Sequence, residues 1–274
     1  MFATRFAPSP TGFLHKGHAF SALTAFAAAR ATGGRFVLRI EDIDATRCRP
    51  EFEAAIYEDL GWLGLEWEEP VRRQSEHLDD YHAALGRLEA DGLVYRCFRT
   101  RKEVAEAMAS APHGPMEVFR GGPLGRAEEM RRLAAGEPFA WRLSLDAAAR
   151  RLGGFAGLTF MEGEARITAQ PELGGDVVLA RKDVGVAYHL AVVVDDALQE
   201  ITHVIRGCDL FEATHVQRLL QALLGLPTPI YRHHDLLLGP DGKRFAKRDR
   251  SETLRSLREG GMSAGDLRRE LGFD

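Results

Sequence analysis

Two histidines flank a glycine in the segment FAPSPTGFLHKGHAF, residues 6–20, as His15-Lys16-Gly17-His18. Imidazole N–H groups donate to phosphate oxygens, and a glycine removes a side chain where a flat base must pass close to the backbone. The string lies just ahead of an alanine-rich stretch that reads as a helix. A helix N-terminus offers unpaired N–H groups and partial positive charge to an anion. Pro8 and Pro10 restrict the turn before it and fix where Arg5 and Ser9 point. Taken alone, the same string is equally a solvent-exposed turn with two ordinary histidines, so the residues that follow it in the chain must decide.

Three further groups bear on that choice. In LRIEDID, Glu41 stands at the carboxyl end of an apolar run, where it can hold an ammonium group or simply form the polar end of a strand. In KRFAKRD, after a Pro-Asp-Gly turn, Arg244 and Lys247 can reach the β- and γ-phosphates of a nucleotide or can be solvated surface. Tyr188 and Arg206 each fall near the terminus of an expected strand. The arginine fork grips a carboxylate bidentately, and the tyrosine hydroxyl adds a hydrogen bond.

The elements that must position these groups alternate regularly. MFATRFA alternates as a short strand, HAFSALTAFAAARATGG reads as a helix stopped by Gly33-Gly34, and RFVLRIED is a second strand, which makes a βαβ unit. In such a unit ligands sit beyond the carboxyl ends of the strands. Pro50 opens another helix, and residues 76–91 carry Leu78, Tyr81, Leu85 and Leu88 at helical spacing. LAVVVDD reads as a buried parallel strand, EATHVQRLLQALLG as a helix, and IYRHHDLLLG as a last strand. Ser251 and Ser263 are expected to cap two short closing helices, Ser263 with Asp266 in capping-box spacing. The expected architecture is an α/β, Rossmann-like, doubly wound parallel sheet with an inserted α+β subdomain. Its expected division is residues 1–93 for the first half, 94–172 for the insertion, 173–238 for the second half, and 239–274 for a basic loop and closing helices.

Bulk composition narrows the setting. The chain has 274 residues, 45% of them hydrophobic and 28% charged, with no apolar run of membrane-spanning length. A net charge of −4 supplies no global attraction to nucleic acid, so contact with it must come from local clusters such as Arg72-Arg73, Arg131-Arg132, Arg150-Arg151 and residues 243–250. The start lacks the pattern of a signal peptide. Cys48, Cys97 and Cys208 are far apart and odd in number, which fits a reducing cytoplasm.

At this point the chain resembles the class I aminoacyl-tRNA synthetases. HKGH, residues 15–18, is similar to their His-x-Gly-His signature, and RFAKR, residues 244–248, to their Lys-Met-Ser-Lys-Ser signature. RFAPSPTGFLHKGHA, LRIEDID, YHLAVVVDD and THVIRGCDL are similar to the glutamyl branch over nearly the whole chain. The resemblance implies that ATP, accompanied by Mg²⁺, and glutamate form glutamyl-adenylate and pyrophosphate. It implies that His15 and His18 contact the ATP phosphates beside Gly17 and Arg244, and that Lys247 stabilises the departing pyrophosphate. Arg5, Ser9, Glu41, Tyr188 and Arg206 would hold glutamate.

Two features depart from the family pattern. Arg244, Phe245 and Ala246 replace the first lysine, the methionine and the serine of the second signature, so the charge survives and the hydroxyl does not. Relatives also carry a structural zinc site in the insertion that starts Cys-x-Cys. Here Cys97 is followed by Phe98 and Arg99, and one cysteine cannot make a tetrahedral site, so no zinc is expected. Residues 249–274 have room for two short helices and not for an anticodon-binding domain. That shape resembles the glutamyl-queuosine branch, which activates glutamate without tRNA and esterifies it to the queuosine base at the wobble position of tRNA(Asp). Charging of a tRNA 3′ end by a minimal synthetase, and an inactive glutamate or nucleotide sensor, are the alternatives.

Overall fold

A computed structural model describes residues 1–109, 118–181, 185–237 and 252–273. The chain begins with β1 (Ala3–Phe6), α1 (Lys16–Ala31), β2 (Arg35–Ile40), α2 (Pro50–Trp62), β3 (Glu68–Arg73) and α3 (Leu78–Ala90). Local chemistry sets several of these boundaries. Gly33 takes φ 60° just after α1, and a Cβ on Gly34 would lie 2.5 Å from the Phe2 carbonyl oxygen. Pro50 opens α2 with Glu51 and Glu53 in its first turn, where both proline and acidic charge suit a helix start.

The insertion follows as β4 (Val94–Cys97), α4 (Arg101–Ala109), α5 (Arg126–Ala134), β5 (Ala140–Leu143), α6 (Leu145–Leu152), β6 (Thr159–Glu162), β7 (Ala165–Thr168), β8 (Val178–Arg181) and β9 (Gly185–Val186). β4, β5, β8 and β9 form an antiparallel sheet. β8 and β9, which the sequence pattern places in the second half of the expected division, extend the antiparallel sheet of β4 and β5.

The chain then returns through α7 (Tyr188–Leu198), β10 (His203–Gly207), α8 (Phe211–Leu224) and β11 (Ile230–His234), and closes with α9 (Leu254–Glu259) and α10 (Ala264–Glu270). β1, β2 and β3 pair in parallel, as do β10 and β11. The two ribbons meet where Thr202, just ahead of β10, donates its N–H to the Ala3 carbonyl at 3.0 Å and accepts from Ala3 N–H through its hydroxyl at 2.9 Å. The order across the molecule is therefore β3-β2-β1-β10-β11, with the hairpin β6-β7 continuing the edge through the pair Tyr231–Glu162. The direction of winding reverses between β1 and β10, and a crevice opens there at the strands' carboxyl ends.

Side chains alternate across this sheet. Phe6, Phe36, Leu38, Ile40 and Ile205 pack under α1, α2, α9 and α10. Val37, Val204 and Tyr231 pack against α3, α7 and α8. Helices thus cover both faces, as a parallel sheet requires. α1 turns Ala19, Ala22, Leu23, Ala25 and Ala29 inward, and the small residues let it lie close to β1 and β10.

LAVVVDD is not a strand. It is the body of α7, in which every residue from Leu190 to Asp196 is buried. A helix enclosed on all sides is apolar on all sides, and such a run looks the same as a buried strand in sequence. Ser263 caps α10 as expected, accepting from Asp266 N–H at 3.1 Å. The cap of α9 is Thr253, which accepts from Ser256 N–H at 3.0 Å; Ser251 lies outside the described residues.

Candidate active site

A cleft of about 510 Å³ occupies the crevice at the reversal point. The end of β1 and its turn supply Arg5, Phe6, Ala7, Pro8 and Ser9; the end of β2 supplies Glu41; the start of α1 supplies His15, Gly17 and His18; α7 supplies Tyr188; the end of β10 supplies Arg206. The structure therefore brings together every expected site residue that it describes. Arg244 and Lys247 lie outside the described residues. Leu236 and Leu237 line the cleft, Thr253 bridges to His15, and Leu254 N–H donates to the Leu14 carbonyl at 2.8 Å.

The turn after β1 is tied down. Ser9 Oγ donates to the Glu41 carbonyl at 2.6 Å and Glu41 N–H donates to the Pro8 carbonyl at 3.0 Å. The Ser9 proton is thus spent on the backbone of β2, and only its lone pairs face a ligand. His15 is the N-cap of α1, and its Nδ1 accepts from Gly17 N–H at 3.1 Å. His18 completes the capping box, its Nδ1 accepting from His15 N–H at 3.2 Å. The two ring centroids lie 3.8 Å apart with their planes tilted by 31°. Because both Nδ1 atoms accept, a neutral imidazole at either position carries its proton on Nε2. No acidic side chain occupies the first turn of α1, which keeps this end suited to an anion. A Cβ on Gly17 would lie 3.1 Å from His15 Cε1, so the glycine makes room for the capping ring as well as for a ligand.

Arg206 is 4% exposed. Its Nη2 donates to Thr214 Oγ1 at 2.7 Å and to the Leu210 carbonyl at 3.1 Å, its Nη1 to Tyr188 Oη at 3.3 Å, and its Nε to His233 Nε2 at 3.1 Å. Every one of these partners is neutral, and no carboxylate among the described residues lies within 4.0 Å of it. A buried cation with only neutral acceptors still carries most of its desolvation cost. Arg5 differs: its Nε meets Asp196 Oδ1 at 3.1 Å.

The residues missed in the sequence are those that hold Arg5 and Glu41. Asp196 Oδ1 also accepts from Arg39 Nη1 at 2.8 Å, while Arg39 Nη2 donates to Glu41 Oε1 at 3.1 Å and Arg39 Nη1 to Gln199 Oε1 at 2.9 Å. Asp195, behind it, accepts from Arg72 Nε, Gln74 Nε2 and Tyr81 Oη. Arg72 is thereby an internal ion-pair partner rather than part of a surface cluster. Burial raises the Glu41 carboxyl against the pull of Arg39 and Arg5, and a further cation beside it would favour the ionised form. Burial also works against ionisation of Asp196, but Arg5 and Arg39 outweigh it and hold that carboxyl below its ordinary range. The signal available in sequence was the pair of acids ending an apolar run, since a buried acid implies a buried partner.

Cys97 packs with Tyr95 and Phe119, and among the described residues no group of three or more His, Cys, Asp or Glu is placed to hold a metal ion. No described helix is long and apolar enough to cross a membrane.

A parallel sheet with this cleft at its reversal point, two histidines at the first helix N-terminus and a buried arginine opposite make an α/β fold with a cleft suited to an anionic ligand. The family model "tRNA synthetases class I (E and Q), catalytic domain" matches residues 1–269, and the chain belongs to that family and is an enzyme of it. It is 47% identical to the glutamyl-Q tRNA(Asp) synthetase of Rhodobacter capsulatus, over 98% of this chain and 99% of that protein. It is 43% identical to the glutamyl-Q tRNA(Asp) synthetase of Symbiobacterium thermophilum, over 96% of this chain and 83% of that protein. Among solved structures, a glutamate tRNA ligase from Elizabethkingia meningosepticum in complex with its amino acid superposes with a TM-score of 0.76 at 30% identity, covering 90% of this chain. This chain spans 52% of that structure's length.

Proposed function

We propose that the protein activates L-glutamate with Mg²⁺-bound ATP, without tRNA, and transfers it to the queuosine base at the wobble position of tRNA(Asp). A glutamate α-carboxylate oxygen attacks the α-phosphorus; the new O–P bond forms as the bond to the β-phosphate oxygen breaks, and pyrophosphate leaves. No protein nucleophile is needed, so catalysis consists of positioning and of stabilising charge on phosphate oxygens. His15 and His18 donate Nε2–H groups to the phosphates at the α1 N-terminus, where Gly17 leaves the backbone approachable. Lys247, with Arg244, neutralises the departing pyrophosphate. Glu41 and the Ser9 lone pairs receive the substrate ammonium. Arg206 with Tyr188 takes the side-chain carboxylate, and Arg5 faces the cleft beside them.

The observation that carries this reading is Arg206, a buried guanidinium with no carboxylate partner among the described residues, in a cleft that also presents Glu41. A neutral amide would leave that cation unpaired, so glutamine should be disfavoured by roughly 10⁴. The acceptor is supported by the names of relatives, one matched over 99% of its length and another over 83%. ATP–pyrophosphate exchange driven by glutamate alone tests activation; no exchange, or exchange equally good with glutamine, overturns it and favours a sensor. Labelled glutamate should then appear on tRNA(Asp) bearing queuosine, whereas labelling of tRNA without that base would favour 3′-end charging.

A further inference from the structure

Arg206 is oriented by a chain of groups that the glutamate-activating reading does not use. Its Nε donates to His233 Nε2 at 3.1 Å, so that nitrogen must hold a lone pair. The ring proton is then on Nδ1, which donates to Glu162 Oε2 at 2.7 Å. The other oxygen of Glu162 accepts from the His233 backbone N–H at 2.6 Å. Glu162 is the last residue of β6, in the inserted hairpin, and His233 lies on β11 with its side chain 3% exposed. One carboxylate thus fixes both the position and the tautomer of the imidazole.

The neighbours of this imidazole come from several elements. Arg206 on β10, Thr214 on α8 with its hydroxyl 3.3 Å from Nε2, and Glu162 on β6 face it directly. Phe211 on α8 meets it edge-on, and Tyr231 and His234 are its neighbours on β11. Burial and then the Arg206 charge hold His233 below the usual imidazole range, against the pull of Glu162. His189, on α7, is held down to about 4, by burial and then by Arg206.

We propose that Glu162 and His233 form a positioning relay that sets the Arg206 fork for the substrate's side-chain carboxylate while leaving the guanidinium without a direct counter-charge. A carboxylate bonded straight to Arg206 would orient it equally well but would satisfy the charge the ligand must meet. The imidazole transmits orientation and withholds the anion. Protonation of His233 sets two N–H donors against each other at Nε2 and Nε, so the fork loses its anchor. The relay also makes the inserted hairpin part of the specificity apparatus.

The inference rests on the proposed activation of glutamate, and the test separates the two. Exchange kinetics are measured with glutamate and ATP varied independently across pH. His233→Leu should raise the glutamate KM by about tenfold or more, the scale expected for a lost bond to a charged group, with the ATP KM unchanged. His233→Gln places an amide oxygen near the Nε2 position and should restore the glutamate KM to within a few-fold. The wild-type glutamate KM should rise as pH falls below the usual imidazole range, and His233→Gln should lack that rise. Glu162→Gln should raise the glutamate KM and move the acid rise to lower pH, because the anion that favours the imidazolium is gone. Equal increases in both KM values, an unchanged glutamate KM in His233→Leu, or a wild-type acid rise retained in His233→Gln overturn the relay. If His233→Leu does not fold, the wild-type and His233→Gln profiles decide. Absence of exchange in the wild type overturns the activation reading itself.

Discussion

Arg5, Arg39 and Asp196 show how single side chains carry both stability and chemistry. Arg5 reaches the cleft only because Asp196, from a segment 191 residues away, accepts from its Nε. The same carboxylate oxygen binds Arg39, which in turn steadies Glu41. Removing one member of a buried ion network typically costs about 3–5 kcal/mol, because the partner stays buried and uncompensated. Arg39 keeps Glu41 and Asp195, so Asp196→Asn is expected near 3 kcal/mol on that scale. Urea unfolding at neutral pH should show the midpoint falling with the slope unchanged, and the glutamate KM should rise as Arg5 loses its anchor. A loss under about 1 kcal/mol would contradict the network's structural weight. Because Asp196 titrates below its ordinary range, this stabilisation is present above that range and is lost only as pH falls through the native value.

At the scale of elements, α1 combines two duties at one end. His15 is its N-cap and His18 closes the box, so the imidazoles that are proposed to meet phosphate also satisfy the helix's own N–H groups. The two duties separate by substitution. Asparagine is among the strongest N-caps, while alanine forfeits about 0.5–2 kcal/mol. His15→Asn should therefore keep the melting temperature and lose exchange activity, whereas His15→Ala should lose both. Retained activity in His15→Asn would assign this histidine to capping alone. α7 shows why one element was misread from its sequence. Its valines favour strands, yet its place between α3, α8 and the sheet encloses it on every side, and tertiary burial overrides a weak local preference. α1, with its caps and glycine stop, was legible because those signals act within a few residues.

Across the whole molecule, the closing helices clamp the first half of the sheet. Arg258 on α9 binds Glu58 at 2.9 Å and approaches Asp59 at 3.5 Å, Arg268 on α10 donates to the Leu63 carbonyl at 3.1 Å, and Glu270 binds Lys16 at 2.6 Å. Asp59 is fully buried, and among the described residues neither of its oxygens has a hydrogen-bond partner. Burial pushes its carboxyl up to about 6, against the pull of Arg258. Between about pH 4 and pH 6 the native state binds more protons than the unfolded chain, so stability falls as pH rises through that window. Asp59→Asn should flatten this slope and raise the melting temperature near pH 7. A steeper slope, or a lower melting temperature at both ends, would show that the ionised carboxylate is stabilising.

The sequence by itself determined the kinds of chemistry present and their order along the chain. Short-range signals suffice for that: two imidazoles beside a helix start, an acid ending a strand, an arginine ending another. Only the tertiary structure decided that Arg206 is buried with no carboxylate beside it among the described residues, that Asp196 serves Arg5 and Arg39 at once, and that an inserted hairpin reaches His233. Those facts depend on contacts between residues tens to hundreds of positions apart, and on burial, which sets the cost of an unpaired charge. Neither quantity is written in any local stretch of residues.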